Sequence, residues 1–190
     1  MTTGWQPTSL PGVRRRSLTF HPDDRGAFAE LWREAWMKEL GLTDTVAVRQ
    51  ANLSRSRPGV LRGLHVHQRQ ADLWMVVDGH PVVGLVDVRP ALTGAGEPRA
   101  ETIQAAPGDL LYLPEGVAHG FFARDELTLL YFVTNEYDGS DELGFAWDDP
   151  LAGVQWPDGQ PILSPRDASA PPLADLLAQL REARQQNAVG

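Results

Sequence analysis

The sequence predicts an all-β protein built as a double-sheet jelly roll, and three observations lead to this fold class. Short apolar segments follow one another from residue 46 to residue 133. Turn residues such as Pro58-Gly59 and Pro107-Gly108 separate them, in a chain that contains Gly 18 and Pro 15. No interval in this region is long and periodic enough for a crossover helix between parallel strands, so we expect the sheets to be antiparallel.

The individual elements follow from this pattern. The predicted core, about 46–133, contains strands at 46–53, 60–67, 73–77, 82–88, 102–105, 110–113, 116–122 and 127–133. Extra strands at 13–20 and 27–32 and a short helix at 34–40 are expected before it. After it, Leu173, Leu176, Leu177 and Leu180 recur at helical spacing behind a Pro-Pro pair, which predicts a short C-terminal helix over about 171–187. We expect residues 1–190 to form one such domain.

Composition excludes several classes of function. The formal net charge of -8 argues against a nucleic-acid surface. The first residues lack a basic and apolar signal pattern, and no apolar run has the length of a membrane span, so we expect a cytoplasmic protein without a membrane partner. The chain has no cysteine, which excludes disulfides and thiolate chemistry. Any bound metal must therefore use nitrogen and oxygen ligands.

Three histidines and one carboxylate have the spacing of a metal site. His65 and His67 are two residues apart and would project from the same face of a strand, with Asp72 on the next strand and His119 on a more distant one. This pattern resembles the two sequence signatures of metal-binding cupins, although Asp72 replaces the usual glutamate and Ala123 the usual final asparagine. Three imidazoles and one carboxylate suit Zn, Ni, Fe(II) or Mn.

A second set of motifs extends over nearly the whole chain. These motifs are DRGxFxE at 24–30, RQxNxS at 49–54, VLRGLH at 60–65, AHGF at 118–121, Tyr131 with Tyr137, WDDP at 147–150, WP at 156–157 and LSxRD at 163–167. In this order they resemble the dTDP-4-dehydrorhamnose 3,5-epimerase family of nucleotide-sugar enzymes, which has the cupin jelly-roll fold.

The resemblance implies roles for particular residues. His65 would be the catalytic base, paired with Asp167, and Tyr131 would be the acid that faces it. The substrate would be a dTDP-linked 4-keto-6-deoxyhexose, and the protein would form a homodimer. The residues that the resemblance assigns to substrate binding are Arg25, Glu30, Gln50, Asn52, Arg62 and His119, with the two arginines holding the diphosphate.

The chemistry supports these assignments without the family. Inversion of a carbon next to a ketone requires removal of its proton, stabilisation of the enolate and return of a proton to the opposite face. A neutral histidine such as His65 is a suitable base near pH 7, and Asp167 would orient it and stabilise the imidazolium. Tyr131 on another strand would protonate the far side. The residues leave open which sugar is bound and whether C3, C5 or both are inverted.

Asp72 is the position at which resemblance and chemistry disagree. The family usually has a lysine there, which favours the enolate, whereas an aspartate would repel it. A divalent metal held by His65, His67, Asp72 and His119 would restore the positive charge, but a metal-bound His65 could not also act as the base. The breadth of the family resemblance favours a site without metal or other cofactor. The alternatives are a metal-dependent cupin isomerase, lyase or oxygenase, and a catalytically silent cupin that binds a sugar nucleotide.

Overall fold

The structure, a computed structural model, describes residues 4–41, 48–137 and 139–189, the last three of these in their backbone only. Its helices are α1 (Glu34–Glu39), α2 (Arg89–Thr93), α3 (Pro165–Ala168) and α4 (Leu173–Val189). Its strands are β1 (Gln6–Pro7), β2 (Arg14–Ser17), β3 (His21–Asp23), β4 (Gly26–Phe28), β5 (Gln50–Ser56), β6 (Leu61–Val66), β7 (Asp72–Asp78), β8 (Pro81–Asp87), β9 (Arg99–Gln104), β10 (Asp109–Leu113), β11 (Val117–Ala123), β12 (Leu127–Val133) and β13 (Leu143–Gly144).

Two antiparallel sheets form the jelly roll that the sequence predicts. The larger sheet has the strand order β1-β2-β10-β7-β12-β5, and the smaller one has the order β13-β6-β11-β8-β9. β3 and β4 form a separate two-stranded ribbon. From β5 to β13 successive strands alternate between the two sheets, except that β8 and β9 are neighbours in the smaller sheet. Residues that are distant in sequence therefore meet between the sheets.

The main core lies between the two sheets because their apolar side chains point inward at every second position. The larger sheet contributes Val76 and Leu111, and the smaller one contributes Val83, Leu85 and Phe121, all of them buried.

Helices cover the outer faces of both sheets. Trp36 and Met37 of α1 pack on the larger sheet against Leu73 and Met75. The four leucines of the predicted C-terminal helix face the smaller sheet, where they pack against Leu64 and Val86, and they are almost completely buried. The prediction of a C-terminal helix is therefore confirmed. No helix within the described residues is long and apolar enough to cross a membrane.

The eight predicted core strands are present, with ends shifted by a few residues, and residues 46–47 of the first lie outside the described residues. The N-terminal strands are shorter than predicted, because only 14–17 pairs with β10 and only 26–28 pairs within the ribbon. Two short helices, α2 and α3, were not predicted. Each depends on local capping: Gly94 ends α2 with φ 72°, and Ser164 caps the N-terminus of α3.

Candidate active site

A cavity of about 440 Å³ opens between the two sheets. Its walls come from both sheets, from the segment after β12 and from α3. The larger sheet contributes Gln50, Asn52, Ser54, Asp72, Trp74 and Tyr131. The smaller sheet contributes Arg62, His65, His119 and Phe121, and His67 follows directly after β6. A site of this kind can contact a ligand from opposite sides.

His65 and Asp167 form a hydrogen-bonded pair in this cavity. His65 Nε2 lies 2.7 Å from Asp167 Oδ1, and the Ser164 hydroxyl donates to Asp167 Oδ2 at 2.8 Å. Burial alone would raise the pKa of Asp167, but the hydrogen bonds from His65 and Ser164 outweigh it and hold this pKa below its ordinary value. An ionised Asp167 only accepts, so in the neutral imidazole Nε2 carries the hydrogen and Nδ1 is left to take up a proton.

Two glycines bring β6 and β11 close together beside this pair. A Cβ atom on Gly63, whose φ is +120°, would lie 2.6 Å from the Cα of Gly120. The register between the two strands shifts just after His119, and His65 is directly opposite His119. The close approach therefore places both imidazoles in the same part of the cavity.

His67, Asp72 and His119 form a second, buried cluster. One potential ligand atom from each of the three lies within 4.8 Å of the others, and His65 is not part of this group. His67 Nδ1 lies 2.7 Å from the carbonyl oxygen of Asp141, and His119 Nδ1 lies 3.0 Å from that of Val117. Burial is the main reason why the pKa of His119 is lowered to about 4, against the opposing effect of Asp72.

The Asp72 carboxylate is held in place by two neutral donors. Gln70 Nε2 donates to Oδ1 at 2.8 Å, and Trp74 Nε1 donates to Oδ2 at 3.1 Å. His119 Nε2 is 3.6 Å from Oδ2, which is too long for a hydrogen bond. The two histidines and Asp72 thus face one another without a hydrogen bond between Asp72 and His119.

Tyr131 projects into the cavity from the larger sheet, whereas His65 projects from the smaller one. Its neighbours across the strand pairs are Trp74 on β7 and Asn52 on β5. Burial raises the pKa of Tyr131, as does the charge of Asp72, while Arg62 opposes both. Tyr131 therefore keeps its phenolic hydrogen at neutral pH and can donate it.

Four of the six residues predicted to bind substrate line the cavity, namely Gln50, Asn52, Arg62 and His119. Gln50 Nε2 donates to Asn52 Oδ1 at 2.8 Å, so these two amides are already ordered. Arg62 Nε donates to the Ser56 hydroxyl at 3.1 Å.

The structure of one chain does not bring Arg25 and Glu30 to this cavity. Arg25 is in the turn of the β3–β4 ribbon, fully exposed and paired with Asp23, and Glu30 pairs with Arg33 on the surface. That Arg25 and Glu30 bind substrate stays a prediction, which the geometry of a single chain does not support. Within the described part of the chain, the ribbon that carries Arg25 pairs with itself and with neither sheet.

Several residues that line the cavity were not predicted. Ser54 lines the cavity, and its buried hydroxyl has no hydrogen-bond partner among the described residues. The Asp141 carboxylate accepts from the backbone N–H groups of Gln68 and Arg69, which fixes the carbonyl that holds His67. Arg166 lines the cavity beside Asp167, and their shared LSxRD motif was the signal that could have identified it.

Acidic groups outnumber basic ones in the lining. Among the described lining residues there are three arginines, Arg62, Arg69 and Arg166, and five carboxylates, Asp72, Glu136, Asp141, Glu142 and Asp167. Arg166 is itself paired with Glu142. An anionic ligand would therefore gain from additional positive charge in this cavity.

The sequence of this chain is similar to sequences of known proteins. The profile of the dTDP-4-dehydrorhamnose 3,5-epimerase family matches residues 7–175. A spore coat polysaccharide biosynthesis protein of Bacillus subtilis is 39% identical over 153 residues, which cover 77% of this chain and 96% of the relative.

Solved structures agree with this match. A dTDP-6-deoxy-D-glucose-3,5-epimerase from Legionella pneumophila, in complex with dTDP-4-keto-L-rhamnose, superposes with a TM-score of 0.81 at 30% identity, covering 93% of this chain and 96% of the other. A 3'-monoepimerase from Streptomyces bikiniensis, in complex with dTDP-quinovose, has a TM-score of 0.77 at 31% identity, with coverages of 95% and 97%.

Proposed function

Because this chain belongs to the dTDP-4-dehydrorhamnose 3,5-epimerase family, we propose that it is an isomerase of deoxysugar biosynthesis. Its substrate would be a dTDP-linked 4-keto-6-deoxyhexose, inverted at a carbon next to the C4 ketone. The observation that carries the proposal is the hydrogen-bonded His65–Asp167 pair, which faces Tyr131 across the cavity from the opposite sheet. Known relatives that bind dTDP-sugars share this fold.

The proposed reaction divides proton transfer between the two faces of the sugar. His65 Nδ1 removes the proton from the carbon, and Asp167 stabilises the imidazolium that forms. Tyr131 then donates its proton to the opposite face of the enolate. Both proton transfers use side chains of the protein and need no cofactor.

Substrate binding by Arg25 and Glu30 requires a second copy of the chain, since neither reaches its own cavity. A homodimer would also supply the positive charge that a diphosphate needs in an acidic cavity. The chain has surfaces suited to this association. β5 is an edge strand of the larger sheet, and the side chains of Phe28 and Leu53 are 66% and 58% exposed. We therefore propose a homodimer in which the β3–β4 ribbon of one copy approaches the cavity of the other.

The test measures solvent deuterium uptake and inversion in a dTDP-4-keto-6-deoxyhexose. We expect His65→Ala to abolish exchange at carbon, because it removes the base. We expect Tyr131→Phe to allow exchange but to slow net inversion, because it removes the acid on the other face. Each loss should be on the order of 10²–10⁴ in rate.

His80→Ala is the matched control, because His80 is an exposed histidine that pairs with Asp125 outside the cavity. It should behave like the unmodified protein. Near-normal inversion in both cavity variants would refute the proposed assignment. The positions of deuterium in the product, read by NMR, identify the carbon that is inverted. The absence of nucleic-acid and membrane partners and the cytoplasmic location remain predictions.

A further inference from the structure

The cluster of His67, Asp72 and His119 plays no part in the proton transfers described above. All three residues are buried, with exposures of 6%, 4% and 6%. Buried polar groups are normally paired with donors or acceptors of the opposite kind. In this cluster, by contrast, the atoms that face one another are all hydrogen-bond acceptors.

The hydrogen bonds around the cluster determine which atoms face its centre. A backbone carbonyl only accepts, so Nδ1 of His67 and Nδ1 of His119 each carry a hydrogen. In the neutral imidazoles Nε2 then presents a lone pair. Both oxygens of Asp72 accept N–H donors from outside the cluster, as those of an ionised carboxylate do. Two imidazole lone pairs and one carboxylate therefore converge.

Without another group between them, these atoms would repel one another. The separation of 3.6 Å between His119 Nε2 and Asp72 Oδ2 excludes a direct hydrogen bond. A bridging water can donate to two acceptors, but it leaves the buried carboxylate charge uncompensated. A cation satisfies all three groups.

We propose that His67, Asp72 and His119 bind one divalent transition-metal ion and that His65 is not one of its ligands. Two histidine nitrogens and one carboxylate oxygen form a donor set that suits zinc, nickel, iron(II) or manganese, with coordination positions left open. Ligand atoms at about 2.1 Å from a tetrahedral ion lie roughly 3.4 Å apart. The atoms lie within 4.8 Å of one another, so binding would draw them inward by at most about 1.4 Å.

The surroundings of the cluster have the features of a metal site. Histidine ligands commonly donate their second ring hydrogen to a carbonyl or carboxylate, which orients the ring. Both His67 and His119 do this here. Asp141 further stabilises the carbonyl that holds His67, because its carboxylate accepts from two backbone N–H groups. The excess of carboxylates in the cavity also favours a cation.

With three ligands, His65 does not have to be both a metal ligand and the catalytic base. Its Nε2 is bound to Asp167, outside the cluster, so it remains available as the base. The role of the ion in catalysis rests on the proposed function: when bound, it would supply positive charge near the enolate. The family resemblance of the sequence favours a cavity without metal, and this proposal departs from that expectation. It also differs from the four-residue metal site that the sequence suggests, because His65 is not a ligand.

The binding test uses the full-length protein and does not depend on activity. After chelator treatment and dialysis, Zn²⁺ and Co²⁺ are titrated, with affinity from calorimetry and coordination from the visible absorption of Co²⁺. Elemental analysis of the untreated protein complements both. We expect one ion per chain and a rise in Tm on binding, since an ion that binds only the folded state stabilises it.

Variants locate the ligands. His67→Ala, Asp72→Ala and His119→Ala should each weaken binding by more than the 10- to 100-fold that loss of a secondary contact causes. His65→Ala and the surface variant His80→Ala should bind the ion like the unmodified protein. Circular dichroism establishes that each variant is folded. Asp72→Lys should lose the ion yet keep more deuterium exchange than Asp72→Ala, because the lysine returns positive charge to the same place.

The outcomes separate this inference from the proposed function. Absence of stoichiometric binding to the folded, unmodified protein would overturn the metal site, while deuterium exchange in that metal-free protein would leave the epimerase proposal intact. Binding without any turnover of dTDP-keto-sugars would support the metal site and refute the epimerase. Loss of the ion in His65→Ala would overturn the three-ligand assignment.

Discussion

The partner of one ring nitrogen determines what each histidine in the cavity can do. His65 is held through Nε2 by Asp167, so its Nδ1 is the basic atom. His67 and His119 are held through Nδ1 by carbonyl oxygens, so their Nε2 atoms are the basic ones. The hydrogen bond of one ring nitrogen therefore suits His65 to proton transfer, and it suits His67 and His119 to binding a metal ion.

Replacing Asp167 by asparagine tests whether Asp167 keeps His65 Nδ1 as the basic atom. An amide in place of the carboxylate can donate to Nε2, which would move the imidazole hydrogen to Nδ1 and remove the base. We expect Asp167→Asn to lower kcat by at least about 10², with a smaller effect on KM. Steady-state kinetics measures this, and an unchanged kcat would contradict the tautomer assignment.

The same carboxylate should contribute to acid sensitivity. Folding lowers the pKa of Asp167 below its value of 3.8 in the unfolded chain, so folding favours the ionised form. Its contribution to the free energy of unfolding is complete above that value and is lost as the pH falls through the lower pKa of the folded state. Urea denaturation between pH 5 and pH 3, as rough limits around that value, should show a weaker pH dependence in Asp167→Asn.

At the level of elements, α4 stabilises the smaller sheet by covering its outer face. Leu177 is 4% exposed and packs in the same cluster as Leu64 and Val86. We expect Leu177→Ala to lower the free energy of unfolding by about 2–5 kcal/mol, because it removes buried methyl groups and leaves a cavity. Gln179→Ala on the exposed face of the same helix is the control and should change it by less than about 0.5 kcal/mol. Chemical denaturation compares them, and equal losses would show that α4 does not pack as described.

At the level of the whole molecule, the proposed homodimer accounts for apolar surface that one chain leaves exposed. We expect dimers in analytical ultracentrifugation at micromolar concentration. Phe28→Ser and Leu53→Glu should shift the equilibrium towards monomers, because they place polar groups in an apolar contact. Leu151→Ser, at a leucine that is 44% exposed in another part of the surface, is the control. A monomeric unmodified protein would contradict the proposal.

Dissociation should also affect catalysis if Arg25 acts on the cavity of a second copy. Arg25→Ala should then raise KM for a dTDP-sugar even though Arg25 does not line the cavity of its own chain. Mixed dimers of Arg25→Ala and His65→Ala chains would regain up to about one active site in two, the fraction that symmetry allows. No recovery of activity in the mixture would place Arg25 in its own cavity or outside catalysis.

Much of the protein was determined by local sequence. Short apolar segments predicted the strands because turn residues separate them. The leucines of α4 predicted a helix because they recur at helical spacing. Motifs that resemble a known family predicted His65, Tyr131 and Asp167 as catalytic residues. These three and the four residues of the metal-like signature all line the cavity.

Only the tertiary structure shows which of these residues belong to the His65–Asp167 pair and which to the cluster of His67, Asp72 and His119. His65 and His67 are two residues apart, so spacing predicts the same strand face for both and cannot tell whether one or both face Asp72. Asp167 lies 102 residues from His65 in sequence, and its hydrogen bond with Nε2 separates His65 from the cluster. The same holds for Arg25, whose distance from its own cavity follows from a ribbon that pairs only with itself. Contacts between residues so distant in the chain depend on how the sheets pack, and this packing is absent from any local pattern.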